Sequence, residues 1–362
     1  MRLTVNTKEL KKAIKRVAFY KKAFQKSAKL TAGNNQLILE TATDNAYSKE
    51  ILDASVVEAG SVYLDTEELI KVVKSLKSKT AELYTTDNRF VIKANIEYKI
   101  NTYHIDSFTS LDKLTGSKVY LHSFDLVEGI EKTAFALSKG RFREAIENLY
   151  FNFVKKSNLS DELEMVATDG YRLAVYRCEA YIGNYNGGLL IPKDAVEFIK
   201  KAFEGVDGDV EIYIKDKEAT FKSGNYLLSI QTPSEATFEY KYPNYKSIFL
   251  KEEDVNLRVK LNTKEFTDIV KSLVATETKE DKPIILSFLN NKLTISNASG
   301  NHSVIDVEAE DKAFEIGVNG KYLLEALDVI YDTEFVLEMR DNETQIQIKA
   351  DNYIYVLAPL RL

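Results

Sequence analysis

"VNTKELKKAIKRV" spans Val5 to Val17, and "LNTKEFTDIVKSL" spans Leu261 to Leu273. One chain writes nearly the same helix start twice, and the reason for that repetition decides the fold. In each copy a threonine, Thr7 or Thr263, stands where a helix N-cap belongs. A glutamate, Glu9 or Glu265, falls in the first turn beside the positive end of the helix dipole. Apolar residues follow at i, i+4 and i+7: Leu10, Ile14 and Val17 in one copy, Phe266, Val270 and Leu273 in the other. That spacing predicts one buried stripe per helix. A capped amphipathic helix recurs easily by chance, so the residues that follow are the test.

They recur as well. Ala42 opens "ATDN" at the same distance after Thr7 as Ala298 opens "ASGN" after Thr263, with strand-like "NQLILETAT" and "NKLTISNAS" in between. A third copy lies in the middle: "LHSFDLVEGIEKT" offers Ser123 as cap and leads, after a longer loop, to Ala167 in "ATDG". Each third also carries a second, weaker helix start, in "DTEELIKVVKSL", "IPKDAVEFIKKAF" and "VNGKYLLEALDVI". The unit is therefore a strand, a helix and several strands with turn signals, of about sixty residues. Six such units predict three α+β domains, 1–117, 118–248 and 249–362, each with two helices packed on antiparallel sheets.

Composition bounds the function. The chain has 362 residues, too many for one ordinary core, with 44% hydrophobic and 29% charged residues. Its opening, "MRLTVNTKEL", lacks an apolar leader core, which leads to the expectation of a cytoplasmic protein. A single cysteine, Cys178, excludes an internal disulfide. The three histidines are scattered, no metal-ligand spacing or phosphate loop appears, and neither a cofactor nor a metal is expected. Asp169, Tyr171 and Arg172 form the best catalytic-looking cluster, but without a second carboxylate or a nucleophile they read as a structural ion pair beside a turn. Charge is more telling. Residues 8 to 29 hold nine basic residues and one acid, in a chain of net charge −6. Lys71, Lys74, Lys77 and Lys79, Lys200 and Lys201, and Lys139, Arg141 and Arg143 add to them. Singly these are ordinary solvated helix faces. Together they suit a phosphate-facing surface in an acidic body, giving sequence-independent, salt-dependent attraction to nucleic acid.

The residues also resemble a known family, the bacterial sliding clamp, or beta subunit of DNA polymerase III, over the whole chain. "VATDGYRLAVY" (Val166 to Tyr176) is similar to its ATDGHRLA signature, "YPNYKSI" (Tyr242 to Ile248) to its FPDYxxV segment, and "YVLAPLRL" (Tyr355 to Leu362) to its MPMRL tail. Tyr171 stands where the signature has histidine, Ala358 and Leu360 replace the tail methionines, and Ser247 falls where a basic residue is frequent. The resemblance implies a non-catalytic homodimeric ring of clamp domains around double-stranded DNA. Such a ring tethers the replicative polymerase, the clamp loader and other proteins carrying a clamp-binding motif. A divergent accessory or mobile-element clamp, a repeat scaffold binding only proteins, and an enzyme are the alternatives. Circular DNA would separate the scaffold from a clamp, and turnover assays the enzyme.

Site residues follow from the charge pattern and the resemblance together. Lys12, Lys26, Lys71, Lys74, Arg141, Arg143 and Lys201 are expected to face DNA. A partner-peptide pocket is implied at Ile146, Thr168, Gly170, Tyr171, Arg172 and Leu173, with Pro243, Ser247 and Ile248, and with Val356, Leu357, Ala358, Pro359, Leu360 and Arg361 from the tail. The dimer contact is expected at Phe108 and Leu111 on one side and at Leu273, Ala275 and Thr276 on the other.

Overall fold

A computed structural model describes residues 1–17, 27–104, 108, 110–111, 113–140, 144–156, 160–234, 241–308 and 313–361. The chain makes six passes of one pattern, strand, helix, three strands. The first is β1 (Arg2–Asn6), α1 (Thr7–Val17), β2 (Ser27–Gly33), β3 (Gln36–Ala42) and β4 (Ala46–Glu58). The second is β5 (Gly60–Asp65), α2 (Thr66–Ser75), β6 (Thr80–Thr86), β7 (Arg89–Lys93) and β8 (Glu97–Tyr103). The third is β9 (Ser117–His122), α3 (Ser123–Thr133), β10 (Asn148–Val154), β11 (Glu162–Thr168) and β12 (Arg172–Glu179). The fourth is β13 (Gly188–Pro192), α4 (Lys193–Phe203), β14 (Asp209–Lys215), β15 (Glu218–Ser223) and β16 (Tyr226–Gln231). The fifth is β17 (Leu257–Asn262), α5 (Thr263–Thr276), β18 (Pro283–Leu289), β19 (Lys292–Asn297) and β20 (His302–Asp306). The last is β21 (Phe314–Asn319), α6 (Gly320–Leu327), β22 (Glu334–Met339), β23 (Ile346–Ala350) and β24 (Tyr353–Leu357), with a short β25 (Pro359–Leu360).

At every junction the strand runs straight into the helix, and this corrects the capping read from sequence. The cap is the last strand residue, one position before the expected Thr7, Thr263 or Ser123. Asn6 Oδ1 accepts from the N–H groups of Lys8 (2.9 Å) and Glu9 (3.2 Å). Asn262 accepts from Glu265 (2.9 Å), Asp65 from Glu68 (2.8 Å) and Asn319 from Lys321 and Tyr322. His122 Nδ1 accepts from Phe124 (3.2 Å). The physical reason is backbone conformation: a strand residue such as Asn262 (φ −70°, ψ 121°) already has the extended geometry an N-cap needs. The helix stripes pack inward as predicted. Leu10, Ile14, Val17, Phe266 and Val270 are all buried, each contributing about 1.5–3 kcal/mol.

By contact density the chain divides into two compact units. The first is Met1–Val127 with Tyr181–Tyr185 and Glu197–Pro233, and the second is the remainder. The first holds a twelve-stranded sheet, ordered β1-β6-β7-β8-β5-β2-β3-β4-β16-β15-β14-β9. The second holds an eight-stranded sheet, β13-β10-β11-β12-β24-β23-β22-β17, and a five-stranded one, β20-β19-β18-β21-β25.

One rule generates all three sheets. Each pass folds its last three strands into a meander and lends its leading strand to the neighbouring pass. Thus β1 pairs with β6 and β5 with β2, β9 with β14 and β13 with β10, β17 with β22 and β21 with β18. Meanders then join edge to edge, β4 to β16 and β12 to β24, both antiparallel.

Candidate nucleic-acid, peptide and subunit interfaces

The four described residues expected to face DNA all lie in the first unit and are exposed. They are Lys12 on α1, Lys71 and Lys74 on α2, and Lys201 on α4. Lys201 pairs with Glu197 at 3.5 Å, with both side chains mostly in water. Lys12, Lys71 and Lys74 have no salt bridge among the described residues. Lys26, Arg141 and Arg143 lie outside the described residues.

Not every lysine or arginine on these helices belongs to that face. Arg16 turns inward: its guanidinium lies 4.0 Å from the Tyr226 ring, bonds Glu50 at 3.0 Å and donates to the carbonyl of Ala202 at 3.0 Å. Burial pulls the Arg16 pKa down and pushes that of Glu50 up, and in each case the partner's charge offsets only part of the shift. This inward turn is not legible from residue order, because Arg16 sits at the margin of the helix stripe. Its surroundings are set by β4 and β16, distant in the chain.

The residues of the implied peptide pocket lie in the second unit. Ile146, Leu173 and Val356 share one buried apolar cluster with Val166, Val175, Leu190, Tyr242 and Tyr245. The "ATDG" turn is built by short-range bonds. Asp169 Oδ1 accepts from the N–H groups of Tyr171 (3.0 Å) and Arg172 (3.1 Å), and Thr168 Oγ1 accepts from Gly170 N–H (3.1 Å). Gly170 adopts φ +92°, a region open to glycine at little cost. The turn leaves Tyr171 standing out, 68% exposed, and its carbonyl accepts from Ala358 N–H at 2.9 Å. β12 meanwhile pairs with β24, Leu173 opposite Val356 and Arg172 opposite Leu357.

Arg172 is a structural cation, as its surroundings in the sequence suggested. It bonds Asp169 at 3.0 Å, Glu325 and the carbonyl of Phe135, and lies 4.0 Å from the Tyr322 ring. Burial works to lower its pKa, but the hydrogen bond to Glu325 and nearby negative charge hold it above the ordinary value.

Pro243, Ser247 and Ile248 flank the cluster. Pro243 accepts from Tyr245 N–H (2.8 Å), Ser247 and Ile248 lie in one 3-10 turn, and Ile248 is 42% exposed. The tail divides after Leu357. Pro359 and Leu360 leave the eight-stranded sheet and pair with β21, and Leu360 and Arg361 line a different cavity with Pro283, Ile285 and Ala298.

Sequence reading missed the aromatic floor of this region. Tyr150 stacks on Tyr242 (4.4 Å between centroids), and Tyr245 packs edge-on against Phe249. It also missed Glu164, which takes bonds from Lys246 (2.7 Å), Asn152 (2.7 Å), Tyr245 and Arg177. Burial works to raise the Glu164 pKa, but those donors outweigh it and the carboxyl titrates below its ordinary value. The tyrosines of "YPNY" were the available signal.

Of the expected dimer-contact residues, Phe108 packs against Tyr63 (5.8 Å) beneath the Lys29 ammonium, and Leu111 lines a cavity beside Ala42–Tyr47. Leu273 is buried in the α5 stripe and belongs to the core, whereas Ala275 and Thr276 are exposed. Thr276 Oγ1 accepts from Asn297 (3.2 Å) and Asn301 (3.5 Å), which places it beside the start of β20.

Comparison with known proteins gives a consistent result. A profile described as "DNA polymerase III beta subunit, central domain" matches residues 121–232. The beta sliding clamp of Staphylococcus epidermidis is 24% identical over 350 residues, covering 88% of this chain and 89% of its own. That of Rickettsia felis is 24% identical over 360 residues, covering 92% and 91%. Among solved structures, the DNA polymerase III subunit beta of Pseudomonas aeruginosa superposes over 100% of both chains with a TM-score of 0.87 at 20% identity. The sliding clamp of Bacillus subtilis gives 0.88 at 19% identity, covering 100% of this chain and 99% of its own. These likenesses show the α+β clamp fold over the full length.

Proposed function

This chain belongs to the DNA polymerase III beta subunit, or beta sliding clamp, family, and from that premise we propose that it encircles duplex DNA as a two-chain ring. The family is a non-catalytic processivity factor of DNA replication. In this reading each chain supplies three clamp domains, 1–117, 118–248 and 249–362, and works in the cytoplasm. No helix among the described residues is long and apolar enough to cross a membrane.

One observation carries the ring. Meanders join as β4 with β16 and as β12 with β24, a first-type strand with a second-type strand each time. The series leaves β20 and β8 over. β20 pairs only with β19, and Glu97–Asn101 of β8 pair only with β7, among the described residues. An open edge of this kind is a template for another strand. Pairing β20 of one chain with β8 of the next repeats the joint already made twice within the chain. The contact is heterologous, and with a fitting rotation two copies close on themselves. Ala275 and Thr276 adjoin one edge, and Phe108 and Leu111 follow the other in sequence.

Lys12, Lys71, Lys74 and Lys201, with Lys26, Arg141 and Arg143, are proposed to face the duplex. Because a closed ring holds DNA by topology, these contacts need only be weak and sequence-independent.

The cluster around Leu173, Val356 and Tyr242 is proposed as the floor of the peptide site. That site would take the polymerase, the clamp loader and other motif-bearing partners in turn. Ala358 and Leu360, less adaptable than methionine, and the projecting Tyr171 favour a narrower choice of partners.

Sedimentation with nicked circular DNA tests the ring. The protein should stay on circles in high salt and fall off once a restriction enzyme linearises them. Equal retention on circular and linear DNA would end this reading.

A further inference from the structure

We infer that the notch between the start of α1 and the end of α2 is a seat for a phosphate group. It is a cavity of about 610 Å3, walled by Thr7, Lys8, Lys11, Leu76, Lys77 and Lys79, with no acidic residue in its lining. That volume suits a small ligand. Lys8, Lys77 and Lys79 are exposed and make no salt bridge among the described residues. Lys11 donates one of its three protons to the carbonyl of Leu76 at 2.5 Å, which fixes its charge at the wall and leaves two protons to give. Four ammonium groups around one cavity repel one another, and an anion among them relieves that repulsion.

A second observation marks the notch as a place for a polar ligand of either sign. Thr7 lines the notch and is only 3% exposed, yet its Oγ1 has no hydrogen-bond partner. Its N–H is already used, donated to the carbonyl of Lys79 at 3.0 Å. A buried hydroxyl without a partner is costly, and a phosphate oxygen in the cavity would accept its proton.

The chain contains its own control. The corresponding notch at the start of α5 is walled by Thr263, Lys264, Asp268, Asp328 and Asp332. Thr263 Oγ1 also lacks a partner there, and Thr263 N–H donates to the carbonyl of Thr333 at 2.9 Å, as Thr7 does to Lys79. The unpartnered hydroxyl therefore comes with the fold, and a hydroxyl serves either sign of charge. The lysines are what make the first notch a seat for an anion.

The phosphate could belong to a DNA backbone or to a free oligophosphate, and two arms of one experiment separate these sources. The DNA arm rests on the ring reading above, whereas the free-phosphate arm does not. Full-length protein is titrated calorimetrically with inorganic tripolyphosphate at low salt. In parallel, its affinity for a duplex is measured against salt concentration.

Wild type should bind tripolyphosphate at one site per chain. A Lys77→Gln, Lys79→Gln variant should bind it at least about tenfold more weakly and lose about two units of log–log salt slope on DNA. A Lys215→Gln, Lys217→Gln variant, with the same change in charge, should match wild type in both arms. Thr7→Val should weaken tripolyphosphate binding without lowering the melting temperature, since it removes only the unpartnered hydroxyl. A response in the tripolyphosphate arm alone assigns the seat to free phosphates, and one in the DNA arm alone assigns it to the backbone. If neither arm responds, or the control variant falls as far, the notch is no seat and the inference is overturned. Loss of retention on circular DNA with the tripolyphosphate arm intact would defeat the ring and leave the seat standing.

Discussion

The notch before α1 and the notch before α5 have the same backbone and opposite chemistry. Both open with asparagine as cap, Asn6 or Asn262, followed by a buried threonine whose N–H closes on the loop after the second helix. One is then walled by four lysines, the other by three aspartates and one lysine. What is kept is what the fold needs: an extended cap, a stripe of buried apolar residues and one closing hydrogen bond. What diverges is charge on solvated positions, which costs the fold little. Repetition in this chain reports architecture, and departures from repetition report function.

The largest effect is expected at the start of α6. Gly320 occupies the helix-opening position that Thr7, Ser123 and Thr263 hold elsewhere, and a Cβ there would stand 2.4 Å from the carbonyl oxygen of Lys282. Gly320→Val should destabilise by about 3 kcal/mol or more in urea denaturation, because rigid backbone must move. Thr7→Gly, the reverse change at the equivalent position, should cost only about 1 kcal/mol. Similar losses would show that the helix starts are not equivalent.

Charge gives the next largest effect. Lys12→Gln, Lys71→Gln and Lys74→Gln combined should reduce the salt slope of DNA binding by about one unit per lost phosphate contact. Lys264→Gln with Lys271→Gln, on the helix where acids balance the lysines, should leave the slope where it was. Equal slopes for the two sets would remove the distinction between the helices.

How much of this was legible in the sequence differs by element. Six helices could be read because caps and apolar stripes are local, repeating within eleven residues or so. The cap position is ambiguous by one residue, since asparagine followed by threonine offers two cap-forming types in a row, and only the extended backbone at Asn6 and Asn262 decides for the first. The lending of leading strands between passes could not be read at all: β1 with β6 is a long-range choice that leaves no local mark. The lysines of the notch were visible as charge, but only folding brings Lys77 and Lys79 to Thr7. In the peptide region, "ATDG" and the tail were legible as motifs. The stacking of Tyr150 on Tyr242 and the donors around Glu164 were not, because strands distant in sequence supply them.

Caps give a smaller and sharper test. Asn6→Ala and Asn262→Ala should each cost about 1 kcal/mol in chemical denaturation. Equal losses would mean that the walls' opposite charges leave the capping geometry alone, and a twofold disparity would mean that they do not.

The smallest effect is a dependence on pH, and it too is a comparison. Glu164 titrates below its ordinary value, so its contribution to stability is present above the unfolded pKa of about 4.3 and is lost as pH falls through its lowered folded value. Glu50 titrates above its ordinary value, so stability falls as pH rises from the unfolded pKa through its raised folded value. Thermal melts across pH 3 to pH 7 (roughly the carboxylate range) should show Glu164→Gln flattening the acid loss and Glu50→Gln steepening the net rise. The same direction of change in both variants would contradict the assignment.

Closure of the ring through β8 and β20 can be caught by a cross-link between the two strands. The single cysteine, Cys178, is buried, so new surface cysteines report alone. Lys99→Cys on β8 and Val304→Cys on β20, both exposed, should be joined between chains by a short bis-maleimide, which tolerates a residue of slip in register. Two joints close a covalent ring, and rings closed on nicked circular DNA should then resist denaturant and come free only when the circle is cut. Single-cysteine variants should give no closed ring. A double variant that stays monomeric after treatment, or leaves intact circles as readily as untreated protein, would contradict the account.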